Sequence, residues 1–185
     1  MGDPQAIRRL PRSFFAGDAP NVAPALLGKL LVVGECSGRI SEVEAYTGDD
    51  PASHSFRGRT PRNAVMFGEA GHLYVYFVYG MHFCANVVTG TAGDGQAVLI
   101  RAAVPINGQA LMIERRGRLN HIADGPAKLC QSFAIDLALD GADLCVEPSM
   151  GIFDDGYVCD AGCEATSRVG IRVATDRLWR WSIAS

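Results

Sequence analysis

The clearest pattern of apolar and polar positions lies near the middle of the chain. Leu73 to Tyr79 and His82 to Val88 are two β-rich runs on either side of Gly80-Met81, the pattern of a hairpin. Apolar runs at Leu30 to Gly34 and Ala97 to Val104 predict buried strands, and Arg39 to Tyr46 alternates enough for another. A short helix is expected near Ser13 to Ala16, and a helical turn at Pro24 to Gly28. Gln109 to Arg118 has helical composition. Asp124-Gly-Pro-Ala-Lys carries a helix-start signature, with Asp124 as N-cap and Pro126 in the first turn, and predicts a helix through Ala134. Asp143 to Pro148, Gly156 to Cys159 and Arg168 to Ala174 read as short strands. Between these elements, Gly48 to Asn63 forms a long loop rich in Gly, Pro, Asp, Ser and Arg, a length that in a compact domain usually signals function. The sum is an α+β fold: one mixed domain over residues 1–185, mostly antiparallel sheet with helices packed to one side, and residues 1–10 as a flexible arm.

Composition narrows the class. With 185 residues, 48% hydrophobic and 20% charged, the chain suits a single soluble core. Its apolar runs are too short to cross a bilayer, and the N-terminus has no apolar segment of a secretory signal, so a cytoplasmic protein without a membrane partner is expected. The six cysteines are scattered. Cys159 and Cys163 form the one close pair, with no further ligands to complete a zinc site, so buried free thiols are expected in place of a metal centre. The net charge of −3 conceals an asymmetry: residues 129–167 hold eight acidic residues and no Lys or Arg. A basic working face with an acidic rear face, or simply a solvated acidic surface, would account for it.

Three clusters could carry chemistry. Glu42, Glu44 and Tyr46 share a parity and would point to one face of their strand, where Glu44 enters the long loop. A general base suits that place, although an ordinary solvated strand face explains the same pattern. Tyr74 and Tyr76 share a hairpin face, while Tyr79 falls at the tip, where a large aromatic buries little in its own core and could wedge between bases. In the run His54-Ser-Phe-Arg-Gly-Arg-Thr-Pro-Arg-Asn, Arg57, Arg59 and Arg62 stand together without an intervening acid, either as phosphate ligands or as a solvated loop. No phosphate-binding loop or Gly-x-Ser-x-Gly elbow occurs. Lys29 and Lys128 are the only lysines, so candidates for a Schiff-base nucleophile are few and water activation by a carboxylate is simpler.

The motifs Ser41-Glu-Val-Glu-Ala-Tyr-Thr-Gly, His54-Ser-x-Arg-Gly-Arg-Thr-Pro-Arg-Asn, Gly71-x-Leu-Tyr-Val-Tyr-Phe-Val-Tyr-Gly-Met-x-Phe-Cys-Ala-Asn, Val98-Leu-Ile-Arg-Ala and Gly125-Pro-Ala-Lys-Leu-Cys-Gln occur in that order. Together they resemble the alkyladenine DNA glycosylase (3-methyladenine DNA glycosylase) family, with a looser match at Ser167-Arg-Val-Gly-Ile. The resemblance implies a curved sheet with a protruding hairpin that inserts into DNA. It also implies removal of damaged purines from double-stranded DNA by a monomeric enzyme that needs no cofactor. Glu44 would activate the water that attacks C1′, with Arg101 and the main chain near Val169 positioning that water. Tyr46, His54 and Tyr76 would line the base pocket, two of the rings sandwiching the purine, and Asn86 would crowd the 2-amino group of guanine. Tyr79 would occupy the space of the extruded base, with Met81, Tyr74, Arg59 and Arg62 as further DNA contacts.

The chemistry of these roles is coherent. Extruding a base costs a few kcal/mol of unstacking, which an aromatic wedge offsets in part. An N-alkylated purine is cationic, leaves readily and stacks well on tyrosine faces. An ionised Glu44 would also stabilise the oxocarbenium-like sugar. Two other readings remain at this level: a non-catalytic nucleic-acid-binding module of the same fold, and a hydrolase of free nucleosides.

Overall fold

A computed structural model describes residues 7–158 and 162–183. In chain order the elements are β1 (Arg8–Arg9), α1 (Arg12–Phe15), α2 (Ala19–Leu26), β2 (Leu30–Val33), β3 (Cys36–Tyr46), a 3-10 segment (Pro61–Phe67), β4 (Leu73–Val78), β5 (His82–Thr89), β6 (Gln96–Asn107), α3 (Gln109–Arg116), α4 (Pro126–Phe133), a 3-10 turn (Leu137–Leu139), β7 (Met150–Asp154), β8 (Cys163–Thr166) and β9 (Arg180–Ile183). Every strand pairing is antiparallel, and the main path of the sheet runs β1-β7-β2-β3-β6-β5-β4. This is the curved α+β architecture expected from the sequence.

β3 organises the sheet. One edge pairs with β6 from Ser37 to Tyr46. Along the other edge, β2 takes Cys36 to Arg39 and β9 takes Glu42 to Glu44, so the sheet forks there. Register shifts around Ile40 and Glu42 coincide with the fork, and irregularities of this kind bend and twist a strand.

The pleat then separates two faces. Ile40, Val43 and Ala45 of β3, Val98 and Ile100 of β6, Ala85 and Val87 of β5, and Leu73 and Val75 of β4 join one buried cluster with α2 and α4. α2 contributes Ala19, Val22, Ala23 and Leu26, and α4 contributes Leu129, Cys130 and Phe133. Residues of the opposite parity turn to the other face: Glu44 and Tyr46, Leu99 and Arg101, Cys84 and Asn86, Tyr74 and Tyr76. Cross-strand register stacks them, with Tyr74 opposite Asn86, Asn86 opposite Leu99, and Leu99 opposite Glu44.

Several elements depart from expectation. The described end of the expected arm is docked: Arg8–Arg9 pairs with β7, and Leu10 is buried with its amide donating to the Ile152 carbonyl. α2 replaces the anticipated turn at Pro24 to Gly28; its four buried apolar residues hold a helix that contains Pro24. Asp124 is not an N-cap: Gly125 occupies that position, and the Asp124 carboxylate instead meets His121 at 2.5 Å and Lys128 at 2.9 Å. Asp143 to Pro148 turns on itself, because the Asp143 carboxylate accepts from the Cys145 amide at 2.9 Å. The strand of that region is β7, which pairs with β2. Gly156 to Val158 and Arg168 to Ala174 are irregular, and Cys159 lies outside the described residues. Of the described cysteines, Cys36, Cys84 and Cys130 are buried, and Cys163 is exposed. Among the described residues no helix is long and apolar enough to cross a membrane.

The acidic segment is partly neutralised within the fold. Asp143 pairs with Arg12 at 2.5 Å, Asp154 with Lys29 at 2.9 Å, and Asp155 with Arg39 at 2.8 Å. The excess of acid after residue 129 thus meets basic residues of the N-terminal quarter, and a simple division into basic front and acidic rear is too coarse.

Candidate active site

Glu44 lies near the end of β3 with its side chain wholly buried. Burying an ionised carboxylate costs several kcal/mol unless donors surround it. Here two donors and a cation do. Oε1 accepts from the Val169 amide at 2.8 Å and is ion-paired with Arg101 Nη1 at 3.1 Å, and Oε2 accepts from the Tyr46 hydroxyl at 2.8 Å. Hydrogen bonds to a charged group contribute about 1.5–3 kcal/mol each, which offsets part of that cost. Arg101 also donates through Nε to Glu42 at 2.5 Å, and Arg180 reaches the same Glu42 oxygen at 3.2 Å. Two carboxylates and two guanidiniums therefore form one network. Burial works to lower the pKa of Arg101, but the Glu44 and Glu42 carboxylates outweigh it and raise it. Tyr46 is held protonated, first by burial and then by the Glu44 charge beside it.

Glu44, Tyr46, Arg101 and Val169 form one side of a cavity of about 430 Å³. Opposite parity in the hairpin supplies aromatic rings to the same cavity. His54 and Tyr76 meet edge to face with centroids 4.5 Å apart, and Tyr74 lies 5.6 Å from Tyr76. Met66 and Val88 pack with Tyr74 in a small apolar cluster that backs this wall. Burial pushes the Tyr74 hydroxyl up to about 12, and it hydrogen-bonds His54 Nδ1 at 3.1 Å. Burial, then the Arg62 charge, lowers the pKa of His54, which favours the neutral ring. The loop carrying His54 is fixed by Asn63, whose Nδ2 donates to the His54 carbonyl at 2.8 Å, and Thr60 with Asn63 makes a capping box at the following 3-10 segment. Asn86 Nδ2 donates to the Tyr74 carbonyl at 3.1 Å, which orients its amide.

The hairpin tip is strained. Tyr79 has φ of 54° and Gly80 has φ of 69°, and Met81 donates its amide to the Val78 carbonyl at 3.3 Å. Two successive left-handed residues favour Asn-Gly, and a tyrosine in the first place costs about 1–2 kcal/mol. That tyrosine is 84% exposed, and Met81 is 69% exposed. An unfavourable conformation that presents an aromatic to solvent is a sign of use.

The sequence-derived candidates divide accordingly. Glu44, Arg101, Tyr46, His54, Tyr76, Asn86, Val169, Tyr74 and Tyr79 all border the cavity. Met81 does not border it and stands beside Tyr79 at the tip. The Arg loop is not a uniform triad: Arg62 donates to the Phe77 carbonyl at 3.0 Å and ties the loop to β4, whereas Arg57 and Arg59 are exposed with no carboxylate partner among the described residues. The Val169 amide holds Glu44 itself. His54 and Tyr76 touch one another and so build one wall, with Tyr46 in ring contact with neither among the described residues. Sequence reasoning missed Arg168 and Asp50, a buried ion pair next to Tyr46, because their positions are 118 residues apart and neither has a patterned neighbourhood.

Comparison with known proteins relates this sequence to a family. Residues 13–185 match the model of Methylpurine-DNA glycosylase. The chain is 50% identical to an inferred 3-methyladenine DNA glycosylase of Burkholderia lata, over 94% of this chain and 87% of the relative. It is 47% identical to one of Agrobacterium fabrum over 94% and 88%, and 44% identical to one of Carboxydothermus hydrogenoformans over 93% of each. On residues 13–185 the chain belongs to the Methylpurine-DNA glycosylase family.

Proposed function

We propose that the protein is a monofunctional DNA glycosylase, acting as a monomer on the DNA of the cytoplasm, that extrudes damaged purines from the duplex and hydrolyses the N-glycosidic bond. The observation that carries this reading is the buried Glu44 carboxylate at the cavity wall, held by two hydrogen bonds and the Arg101 ion pair. An ionised carboxylate offers about four lone-pair sites, and Oε2 accepts only from Tyr46, which leaves it room for the proton of an attacking water. Glu44 exposes no surface, so entry of a nucleotide must displace its neighbours slightly before Oε2 can take that proton. The same negative charge would stabilise the developing oxocarbenium sugar.

The purine would lie between Tyr46 on one side and the His54–Tyr76 pair on the other. N-alkylpurines, being cationic, suit electron-rich rings and a neutral His54, and hypoxanthine or ethenoadenine would fit the same slot. Asn86 would bar guanine at the floor. Tyr79 would fill the gap in the stack with Met81 beside it, and Arg59 would contact phosphate. Arg62 would act by holding the loop against the hairpin.

Duplexes carrying N-methylpurine, hypoxanthine or ethenoadenine, incubated with the protein and then with alkali, test the reading. Base release with an intact abasic strand supports it. Strand nicking before alkali would return attention to Lys29 or Lys128, and duplex binding without base release would support the non-catalytic module.

A further inference from the structure

Tyr46 borders the cavity and Arg168 does not, yet the Arg168 guanidinium lies 4.7 Å from the Tyr46 ring centroid. It therefore covers the ring face turned away from the cavity. Trp179 lies on the guanidinium as well, 5.4 Å from centroid to carbon. The side chains of Arg168 and Asp50 are both fully buried and pair through two bonds, Nη1 to Oδ2 and Nη2 to Oδ1. Nη1 also donates to the Ala45 carbonyl at 2.9 Å, and the Ala45 amide donates to the Trp179 carbonyl at 2.9 Å. Ala45 sits between Glu44 and Tyr46 in β3.

Both groups that flank this guanidinium in sequence or space are ligands of the Glu44 carboxylate. Tyr46 donates to Oε2, and Val169, the next residue after Arg168, donates to Oε1. One buried cation thus ties the irregular segment at 168–169 to residues 44–46. A buried ion pair is weak evidence for stability, because apolar residues of similar volume usually serve as well or better. Its fork geometry, with five fixed donors, serves orientation, and a lysine could not reproduce it.

We propose that Arg168, paired with Asp50, is a positioning residue that holds Tyr46 and the Val169 amide in register with Glu44 without touching substrate. The inference rests on the glycosylase reading of Glu44. Misplacing a catalytic group by about 1 Å can cost about 100-fold in rate.

The test uses Arg168→Lys, the double variant Asp50→Asn with Arg168→Met, and Glu44→Gln beside the wild type. Each is read by thermal melting, by affinity for a hypoxanthine duplex, and by the single-turnover rate of base release from it. The expected result is two folded Arg168 variants whose release rate falls about tenfold for the lysine and about 100-fold for the double variant. Affinity should stay within about threefold of wild type, a difference under about 1 kcal/mol. A release rate within about threefold of wild type in a folded variant would overturn the role of Arg168. So would loss of affinity in step with rate, or failure of both variants to fold, since the pair would then act through general stability. A wild-type protein that releases no base would instead overturn the glycosylase reading and this assignment with it.

Discussion

The amide of Val169 donates to Oε1 of Glu44 at 2.8 Å, a bond between residues 125 positions apart. A side-chain donor can drift or change rotamer, whereas a backbone amide moves only with its segment. The carboxylate is thus referenced to the fold through Val169, to the ion network through Arg101, and to the cavity wall through Tyr46.

Glu44→Gln should leave this framework standing and remove the proposed base. The amide oxygen can keep the Val169 and Arg101 bonds, and its NH₂ can face Tyr46, whose hydroxyl then accepts. Melting should shift little, while single-turnover base release falls by about 10²–10⁴-fold, the range of general-base catalysis. Release within tenfold of wild type would remove Glu44 from the chemistry.

Arg101 bridges Glu42 and Glu44, so Arg101→Ala should destabilise as well as inactivate. Removing one partner of a buried ion pair costs about 3–5 kcal/mol, because the remaining charge stays desolvated. Arg180 still reaches Glu42, so the loss falls mainly on Glu44. Urea unfolding should show a lower midpoint with an unchanged slope. An unchanged midpoint would mean that solvent enters to replace the guanidinium.

Much of this site is legible in the sequence, for a definite reason. β3, β4, β5 and β6 read as strands from their β-rich and apolar runs, and the pleat of any strand has period 2, so parity already sorts Glu44 with Tyr46 and Tyr74 with Tyr76. The burial of Glu44 is not legible, since an acid on a strand is ordinarily solvated and two of its three partners, Arg101 and Val169, come from distant parts of the chain. The C-terminal third is the least legible part. β8 is largely exposed and β9 half-buried throughout, so neither carries an alternating pattern, and the neighbouring Arg168 segment is shaped by one ion pair with a distant loop. The His54 loop is the middle case. Its length signals function, but the use of Arg62 as a tether depends on Phe77 arriving from the hairpin.

His54 should make stability depend on acid in a definite direction. Burial, reinforced by Arg62, lowers its pKa from the ordinary 6.5. As pH falls below that value the unfolded chain takes up a proton first, so this contribution is present above about pH 6.5 and is lost as pH falls through the folded value. His54→Gln removes the titration and also the Tyr74 bond. The stability difference between wild type and variant, from urea unfolding, should therefore shrink between pH 7 and pH 5. A difference that grows on acidification would mean that folding stabilises the charged imidazole.

Tyr79 sets stability against function at one residue. Its left-handed backbone at φ 54° costs an L-residue about 1–2 kcal/mol, which glycine avoids, and its ring contributes little burial in return at 84% exposure. Tyr79→Gly also raises the entropy of the unfolded chain, which offsets part of the gain, so a net stabilisation of up to about 1 kcal/mol is expected. The same variant loses the ring that would fill the gap left by an extruded base, where stacking contributes about 1–3 kcal/mol. Base release from a duplex should then slow by about 5- to 150-fold. Release of the same lesion from a single strand, which has no partner stack to repair, should change much less. A higher melting temperature together with a slower, duplex-selective loss of activity is the expected pair of results. Equal losses on both substrates would show that Tyr79 serves the pocket and not the helix stack.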